Sequence, residues 1–135
     1  MASSGEIVVT LPGGRRVDAQ LGPFAVHTDQ PRELGGEESA PSPFQLFLAA
    51  IGTCAGIFVQ GFCAKRELPT VGIRIVQRMR YAEDGALAGV ELDIQVPPSF
   101  PEKYREALVR VADQCSVKKA IQAQPVFQVR TVVVA

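Results

Sequence analysis

The fold of this chain is decided by the stretch from Pro41 to Pro69, PSPFQLFLAAIGTCAGIFVQGFCAKRELP. No charged residue occurs between Glu38 and Lys65, and apolar residues fall on almost every side when the stretch is drawn as a helix. A helix that is apolar all round has to be enclosed, either by protein or by lipid. The sequence therefore predicts a long central helix around which the rest of the chain is organised.

Both ends of this helix carry boundary signals. Ser42 is a suitable N-cap, because its hydroxyl oxygen can accept a hydrogen bond from an unpaired backbone N–H. Pro43 suits the first helical position, where a missing N–H has no cost. Lys65 and Arg66 favour the negative end of the helix dipole, and Pro69 cannot continue the helix.

A membrane-spanning helix is the first alternative, since the run is long enough to cross a bilayer. Gly52 and Gly56 form a small-residue pair of the kind that lets membrane helices touch. Gln45 and Gln60 interrupt the run, however, and strand-like segments on both sides would lose their packing partner if the helix lay in lipid. We therefore interpret the stretch as a buried core helix, not a membrane span, with the two glycines marking close approach by another helix.

Length and composition bound the class of protein. The chain has 135 residues, of which 47% are hydrophobic, and its formal net charge is zero. We expect one domain over residues 1–135, and the balanced charge gives no electrostatic reason to predict nucleic-acid binding. The first ten residues lack a basic region followed by an apolar core, so the expected compartment is the cytoplasm. Three cysteines without C-x-x-C spacing predict neither a disulfide framework nor a zinc knuckle.

Strand patterns lie on both sides of the central helix. Alternating or valine-rich segments predict strands over residues 6–11, 15–21 and 24–28 before the helix, and over 71–81, 90–96 and 126–134 after it. An amphipathic helix is predicted over residues 101–114, and a short further helix from residue 116. The loop before the central helix is a candidate wall or lid. The predicted fold class is α+β, with antiparallel sheets packed around the long helix.

A row of arginines on one predicted strand could be taken for a phosphate-binding patch. Arg74, Arg78 and Arg80 share one face of the strand, but the neighbouring strand offers Glu91 and Asp93 on the equivalent face. Opposite charges across strands are ordinary sheet chemistry. We therefore expect a solvated sheet face here.

The three cysteines are separated by helical geometry. Cys54 and Cys63 are nine residues apart, which at about 100° per residue places them on opposite faces of one helix. Cys115 lies on the inward stripe of the later amphipathic helix, so Cys54 and Cys115 form the one plausible pair. The simplest interpretation is two small buried hydrophobes. Reactivity would require a cation or a helix N-terminus beside the thiol, because apolar surroundings alone raise a thiol's pKa.

Several motifs in this order resemble the OsmC/Ohr family of thiol-dependent peroxidases. They are the sequence PRELGG from Pro31 to Gly36, Ser42-Pro43 opening an apolar helix that contains Cys54, and a second helix ending at Cys115. The resemblance covers nearly the whole chain. It implies an OsmC-like α+β subunit in an intertwined homodimer, with two cysteines per site at the subunit interface.

The resemblance also implies a chemistry for the cysteine pair. As a thiolate, Cys54 would attack an organic hydroperoxide and become a sulfenic acid, and Cys115 would condense with it to a disulfide. A dithiol partner, a lipoyl protein or a thioredoxin-like protein, would then reduce the disulfide. The family places an arginine after a Gly-Gly turn to stabilise the thiolate and orient the peroxide. Arg15 matches this motif, and its neighbour Arg16 is the alternative.

The chain departs from the classical family pattern at two positions. Classical members carry a glutamate at the start of the central helix, paired with the arginine, where this chain has Phe44 and Gln45. Candidate substitutes are the loop residues Glu33, Glu37 and Glu38. Ser116 also replaces the usual proline after the second cysteine. We therefore identify the chain as a divergent OsmC-like member.

The pocket residues support two alternative functions. Phe44, Phe47 and Phe58 would line an apolar pocket suited to alkyl or lipid hydroperoxides, in a peroxidase acting in oxidative stress defence. The same aromatic residues could serve a non-catalytic stress protein that binds or senses a small hydrophobic ligand at the dimer interface.

A metal site is a weaker alternative. His27 with Cys54 and Cys115 makes an incomplete ligand set. We predict no metal and no cofactor.

Overall fold

Within each sheet, short turns connect strands that lie side by side. The structure, a computed structural model, describes residues 5–135. It contains two antiparallel sheets, one ordered β1-β2-β3 and one formed by β4 and β5. The strands are β1 Val8–Gly13, β2 Arg16–Leu21, β3 Phe24–Thr28, β4 Arg74–Tyr81 and β5 Leu87–Gln95, and the helices are α1 Pro43–Lys65, α2 Arg105–Ala112 and α3 Ser116–Gln122. The predicted α+β class is confirmed.

The chain divides into two compact units, residues 1–49 and residues 50–135, with the boundary inside α1. In the first unit, β2 is the central strand and pairs with both neighbours, for example Ala19 with Val9 and with Val26. The Thr28 hydroxyl donates to the Val17 carbonyl at 2.5 Å, which ties the end of β3 to β2. The chain then enters the loop that leads to α1.

The start of α1 is capped as the sequence predicts. The Gln45 backbone N–H donates to the Ser42 hydroxyl at 3.2 Å, and the Ser42 N–H donates to the Gln45 side-chain oxygen at 2.9 Å. This reciprocal pair is a capping box. The Gln45 side chain is therefore committed to holding the helix start.

The core of the second unit forms where α1 packs on the β4–β5 sheet and on α2. Its buried members come from α1 and from the later part of the chain, and they are Ala55, Val59, Phe62, Cys63, Phe100, Leu108 and Ala112. Because this core fills only one side of α1, other α1 residues stay exposed, and the Ile57 side chain is 64% exposed.

The two α1 glycines face a strand, so the expectation of a close helix is wrong. A Cβ atom on Gly52 would lie 2.5 Å from the Gln77 side-chain oxygen, and one on Gly56 would lie 3.8 Å from the Ile75 Cδ1. Both neighbours belong to β4. The small residues therefore let the helix backbone approach the sheet.

Helix α1 is long and apolar enough to cross a membrane, by length and composition only. A core helix of a soluble protein passes the same test. The packing of Ala55, Val59 and Cys63 against the sheet and α2 gives α1 the role of a core helix in its unit.

The arginine row is part of a paired sheet face, as predicted. Arg78 forms an ion pair with Asp93, and the Arg74 Nε donates to the Gln95 side-chain oxygen at 2.6 Å. The Arg80 guanidinium lies against Gly89, where a Cβ atom would meet it. This face carries ordinary cross-strand pairs.

The predicted last strand is wrong for the chain as described. Residues 125–135 have no helix or strand, and Val129 is 97% exposed. Valine-rich sequence favours extended backbone, but a strand also needs a neighbouring strand for its hydrogen bonds. Within residues 5–135, no strand pairs with this segment.

Candidate functional site at the α2–α3 turn

The position of Cys115 differs from the sequence prediction. The amphipathic helix α2 ends at Ala112, two residues before the predicted end at residue 114. The Cys115 N–H donates to the Ala112 carbonyl at 3.3 Å. Cys115 then begins the next helix: its sulfur accepts the Lys118 backbone N–H at 3.4 Å and so caps α3. The residue is buried, as its place on the inward stripe predicts.

The structure brings Cys54 and Cys115 together. Hydrogen bonds to the Cys54 sulfur lower the pKa of its thiol: the Val117 backbone N–H contributes most, and the Cys115 thiol and the Ser116 N–H add to it, while burial opposes the shift. The Cys115 sulfur also lies 3.8 Å from the Ile51 carbonyl, one turn before Cys54 on α1.

The first turn of α3 therefore acts on two sulfur atoms. The Lys118 N–H donates to Cys115, and the N–H groups of Val117 and Ser116 lower the pKa of Cys54. Backbone donors stabilise a thiolate because they favour its charged form. This arrangement satisfies the condition stated above, that a reactive Cys54 needs a cation or a helix N-terminus beside it.

Sequence patterns did not reveal the Val117 donor. Any residue except proline has a backbone N–H, so the residue type at position 117 carries no signal. The residue type at position 116 does carry a partial signal. Ser116 keeps an N–H that proline would lack, and this N–H is one of the donors to Cys54.

Two lysines bridge back across the turn that carries Cys115. Lys118 forms an ion pair with Asp113, and the Lys119 ammonium donates to the Gln114 side-chain oxygen at 2.9 Å. Both ammonium groups therefore interact with the two residues that follow the end of α2.

The third cysteine lies apart from this pair. Cys63 is fully buried in the core of the second unit, and burial raises the pKa of its thiol, with a smaller opposing effect from Arg66. A buried thiol with a raised pKa is poorly reactive.

In the first unit, Arg15 lies in the turn between β1 and β2. Its guanidinium rests on Gly35: a Cβ atom there would lie 3.3 Å from Nε, 3.6 Å from Nη2 and 3.8 Å from Cζ of Arg15. Arg16 extends along Gly13 instead, with its Nη2 at 3.6 Å from the corresponding Cβ position. The two arginines, which the sequence left as alternatives, therefore have different surroundings.

No glutamate forms an ion pair with Arg15 within residues 5–135. None of the candidate substitutes Glu33, Glu37 and Glu38 forms an ion pair with Arg15. Glu38 accepts the Arg32 backbone N–H at 3.2 Å instead.

The loop beneath Arg15 is built around one buried carboxylate, that of Asp29. It accepts the Ser39 hydroxyl at 2.6 Å and three backbone N–H groups, from Gln30 at 2.7 Å, Ser39 at 3.1 Å and Glu37 at 3.3 Å. These bonds, that of the Ser39 hydroxyl first, lower the pKa of Asp29 from 3.8 to about 2. Sequence patterns do not predict this role of Asp29, because a single Asp in a loop has no distinctive pattern.

The predicted aromatic residues occupy different settings. The rings of Phe44 and Phe47 contact each other, with centroids 5.5 Å apart, and both side chains are exposed. Phe58 is half-buried on the part of α1 that belongs to the second unit. The Phe44–Phe47 contact lies wholly within the first unit.

The lone histidine is an ordinary sheet residue here. The His27 Nδ1 lies 3.0 Å from an Asp18 carboxylate oxygen, and the two residues are cross-strand partners. Among residues 5–135, no three His, Cys, Asp or Glu side chains are grouped so that they could hold a metal ion.

Comparison with known proteins gives a consistent family. Residues 36–130 match the family model described as OsmC-like protein. An OsmC-like protein from Mycoplasma pneumoniae has a TM-score of 0.70 at 14% identity, covering 92% of this chain and 91% of that chain. No curated protein matches the sequence.

Two further solved structures share the fold. An organic hydroperoxide resistance protein OsmC from Legionella pneumophila has a TM-score of 0.53 at 23% identity, covering 90% of this chain and 92% of that chain. An organic hydroperoxide resistance protein from Elizabethkingia anophelis has a TM-score of 0.59 at 21% identity, covering 92% and 93%.

Proposed function

This chain belongs to the OsmC-like protein family, and from that membership we propose that it is a thiol-dependent peroxidase that reduces organic hydroperoxides. The observation that carries the proposal is the place of Cys115 beside the α1 turn that bears Cys54, where the Val117 N–H, the Cys115 thiol and the Ser116 N–H lower the pKa of the Cys54 thiol. Family members named for organic hydroperoxide resistance support a role in peroxide resistance.

The proposed reaction has two steps on the protein. The Cys54 thiolate attacks the terminal oxygen of the hydroperoxide, so that an S–O bond forms, the O–O bond breaks, and the alkoxide leaves as an alcohol after taking a proton. Cys115 then attacks the sulfur of the Cys54 sulfenic acid, an S–S bond forms, and water leaves. The Cys115 thiol is already in contact with Cys54, so this step needs little rearrangement.

A dithiol completes the cycle. Two thiols of a lipoyl or thioredoxin-like protein become a disulfide while the Cys54–Cys115 bond returns to two thiols. We assign Arg15 the role of orienting the peroxide, and Phe44, Phe47 and Phe58 the role of an apolar surface for its alkyl group.

The assembly and location are further parts of the proposal. We propose a homodimer, supported by the apolar side of α1 that one chain leaves exposed and by the exposed valines of residues 126–134. The OsmC-like fold is that of a soluble protein, which supports a cytoplasmic location. The proposed partners are the hydroperoxide and the dithiol reductant, without nucleic acid or membrane.

The test is a count of free thiols in the reduced protein before and after one equivalent of cumene hydroperoxide. We expect two thiols to disappear in the parent, none in Cys54→Ser, and one, as a trapped sulfenic acid, in Cys115→Ser. Cys63→Ser is the matched control, because this thiol lies in the core away from the pair, and it should behave as the parent does.

Survival of all three thiols would overturn the proposal that the chain is a peroxidase. The function would then be the non-catalytic alternative, a stress protein that binds a small hydrophobic ligand. Such a protein would keep its ligand affinity in the Cys54→Ser/Cys115→Ser double variant.

A further inference from the structure

The Arg15 guanidinium rests on a position that only glycine can supply. Gly35 has a φ of +92°, a backbone conformation that side chains disfavour. The Cβ position lies at 3.3 to 3.8 Å from three atoms of the guanidinium. Nε and Nη2 lie nearer to this position than Cζ does, so the guanidinium turns its Nε–Nη2 edge towards Gly35. The third nitrogen, Nη1, is bonded to Cζ opposite this edge, so its donors are directed away from Gly35.

Gly35 is in turn held by its neighbours in the loop. A Cβ atom on Gly36 would lie 2.0 Å from the Gln30 carbonyl oxygen and 2.8 Å from the Asp29 carboxylate. The Gly36 N–H donates to the Pro31 carbonyl at 3.1 Å. The Gly35-Gly36 backbone is therefore packed against the segment that the Asp29 carboxylate organises.

We propose that the Asp29-anchored loop is a positioning device for Arg15, with Gly35 as the surface on which the guanidinium rests. The inference rests on the proposed role of Arg15 in the peroxidase. A free arginine side chain samples many rotamers, and an arginine that must orient a peroxide loses that freedom during the reaction. Contact of the Nε–Nη2 edge with Gly35 fixes the orientation of the guanidinium beforehand, which is a form of preorganisation.

Asp29 and Gly35 are positioning residues in this scheme, because neither touches the reacting atoms. Asp29 holds the loop through four hydrogen bonds. Gly35 is the residue of this loop that contacts the Arg15 guanidinium. The missing family glutamate makes such support relevant, since no carboxylate within residues 5–135 pairs with Arg15.

Gly35→Ala tests the inference against a matched control. Gly85, in the turn between β4 and β5, has a φ of +88° and open space at its Cβ position. Both alanine variants therefore carry the same backbone strain, but only Gly35→Ala pushes on Arg15. We expect similar losses of melting temperature in both variants. Only Gly35→Ala should slow Cys54 sulfenic acid formation, by roughly tenfold, the scale that misplacement of a catalytic group produces.

A second measurement follows Arg15 itself and does not depend on catalysis. Phenylglyoxal modification, mapped by mass spectrometry with Arg16 as the internal reference, should speed up at Arg15 in Gly35→Ala and in Asp29→Asn, and should not change in Gly85→Ala. In an Arg15→Ala background, Gly35→Ala should slow the peroxide reaction no further. A general structural defect would slow it in both backgrounds.

The outcomes separate this inference from the proposed function. If Gly35→Ala leaves both Arg15 modification and the peroxide rate as in the parent, the positioning inference is overturned. If Gly35→Ala slows the Arg15→Ala protein as well, it is also overturned. If the parent forms no sulfenic acid, the peroxidase proposal fails, and phenylglyoxal modification alone decides whether Gly35 holds Arg15.

Discussion

The loop before α1 and the turn before α3 use the same hydrogen-bonding device on two different acids. In the loop, backbone N–H groups and a hydroxyl converge on the Asp29 carboxylate. At the turn, the N–H groups of Ser116 and Val117 converge on the Cys54 sulfur. Both sets of bonds lower the pKa of their acceptor.

The difference between the two regions lies in the acid. A carboxylate is already ionised at neutral pH, so lowering its pKa further only strengthens the fold around it. A thiol is mostly protonated at neutral pH, and a lowered pKa increases the fraction present as the nucleophilic thiolate. The same backbone chemistry therefore builds an anchor at Asp29 and a candidate nucleophile at Cys54.

The largest expected effect comes from breaking the anchor region. Gly36→Ala places a methyl group against backbone of Gln30, which cannot move away as a flexible side chain would. We expect a loss of about 3 kcal/mol in the free energy of unfolding, measured by urea titration. Gly61→Ala is the control: it sits on α1 with open space around its Cβ position and should stabilise by up to about 1 kcal/mol. Equal stabilities for the two variants would contradict the prediction.

Removing one donor tests the thiol region. Ser116 is the first residue of α3, and Cys115 before it has extended backbone with a ψ of 124°, so proline fits at position 116. Ser116→Pro should remove one N–H from Cys54, raise the pKa of this thiol and slow its alkylation by iodoacetamide at neutral pH severalfold. The pH midpoint of the alkylation rate should move upward. Ser116→Ala keeps the N–H and should behave as the parent does.

Acid titration tests the anchor without changing backbone packing. The Asp29 pKa is lowered in the folded chain, so its contribution to stability is complete above its ordinary pKa of 3.8 and is lost as the pH falls towards about 2. Asp29→Asn should therefore unfold at lower urea than the parent at pH 7, and the difference between them should shrink between pH 4 and pH 2. A difference that stays constant over this range would show that the Asp29 charge is not responsible.

The smallest expected effect tests whether lysine charge contributes to the thiol region. The Lys118–Asp113 ion pair is largely exposed, and such pairs are worth at most about 1 kcal/mol. Lys118→Gln keeps the backbone N–H to Cys115, so we expect a change of less than about twofold in the alkylation rate of Cys54. A loss of alkylation rate as large as that in Ser116→Pro would show that the Lys118 ammonium group, and not the backbone N–H groups, lowers the pKa of Cys54.

Local patterns were sufficient for the central helix and for choosing the cysteines. Ser42, Gln45 and Pro43 lie next to one another in sequence, so the capping of α1 depends on no distant contact. Helical periodicity separated Cys54 from Cys63 and left Cys115 as its possible partner. The structure confirms the capping of α1 and places Cys115 beside Cys54, while the roles of the two cysteines stay a prediction.

Predictions that needed a distant partner were less reliable. The valines of residues 126–134 favour a strand, but no strand pairs with them within residues 5–135. The spacing of Gly52 and Gly56 predicted close approach by another helix, whereas their neighbour is strand β4. Composition shows that residues are small or that they favour extended backbone. Only packing decides which segment of the chain lies against them.

By itself, the sequence determined the α+β class and the long helix with its capped start, and it singled out Cys54 and Cys115 as the candidate pair. Only the tertiary structure decided which groups surround Cys54 and Arg15. The reason is physical: backbone N–H groups donate to the Cys54 sulfur, and glycine backbone lies under the Arg15 guanidinium. Backbone is common to nearly all residues, so its direction leaves no signature in the sequence and is set by the packing of distant segments.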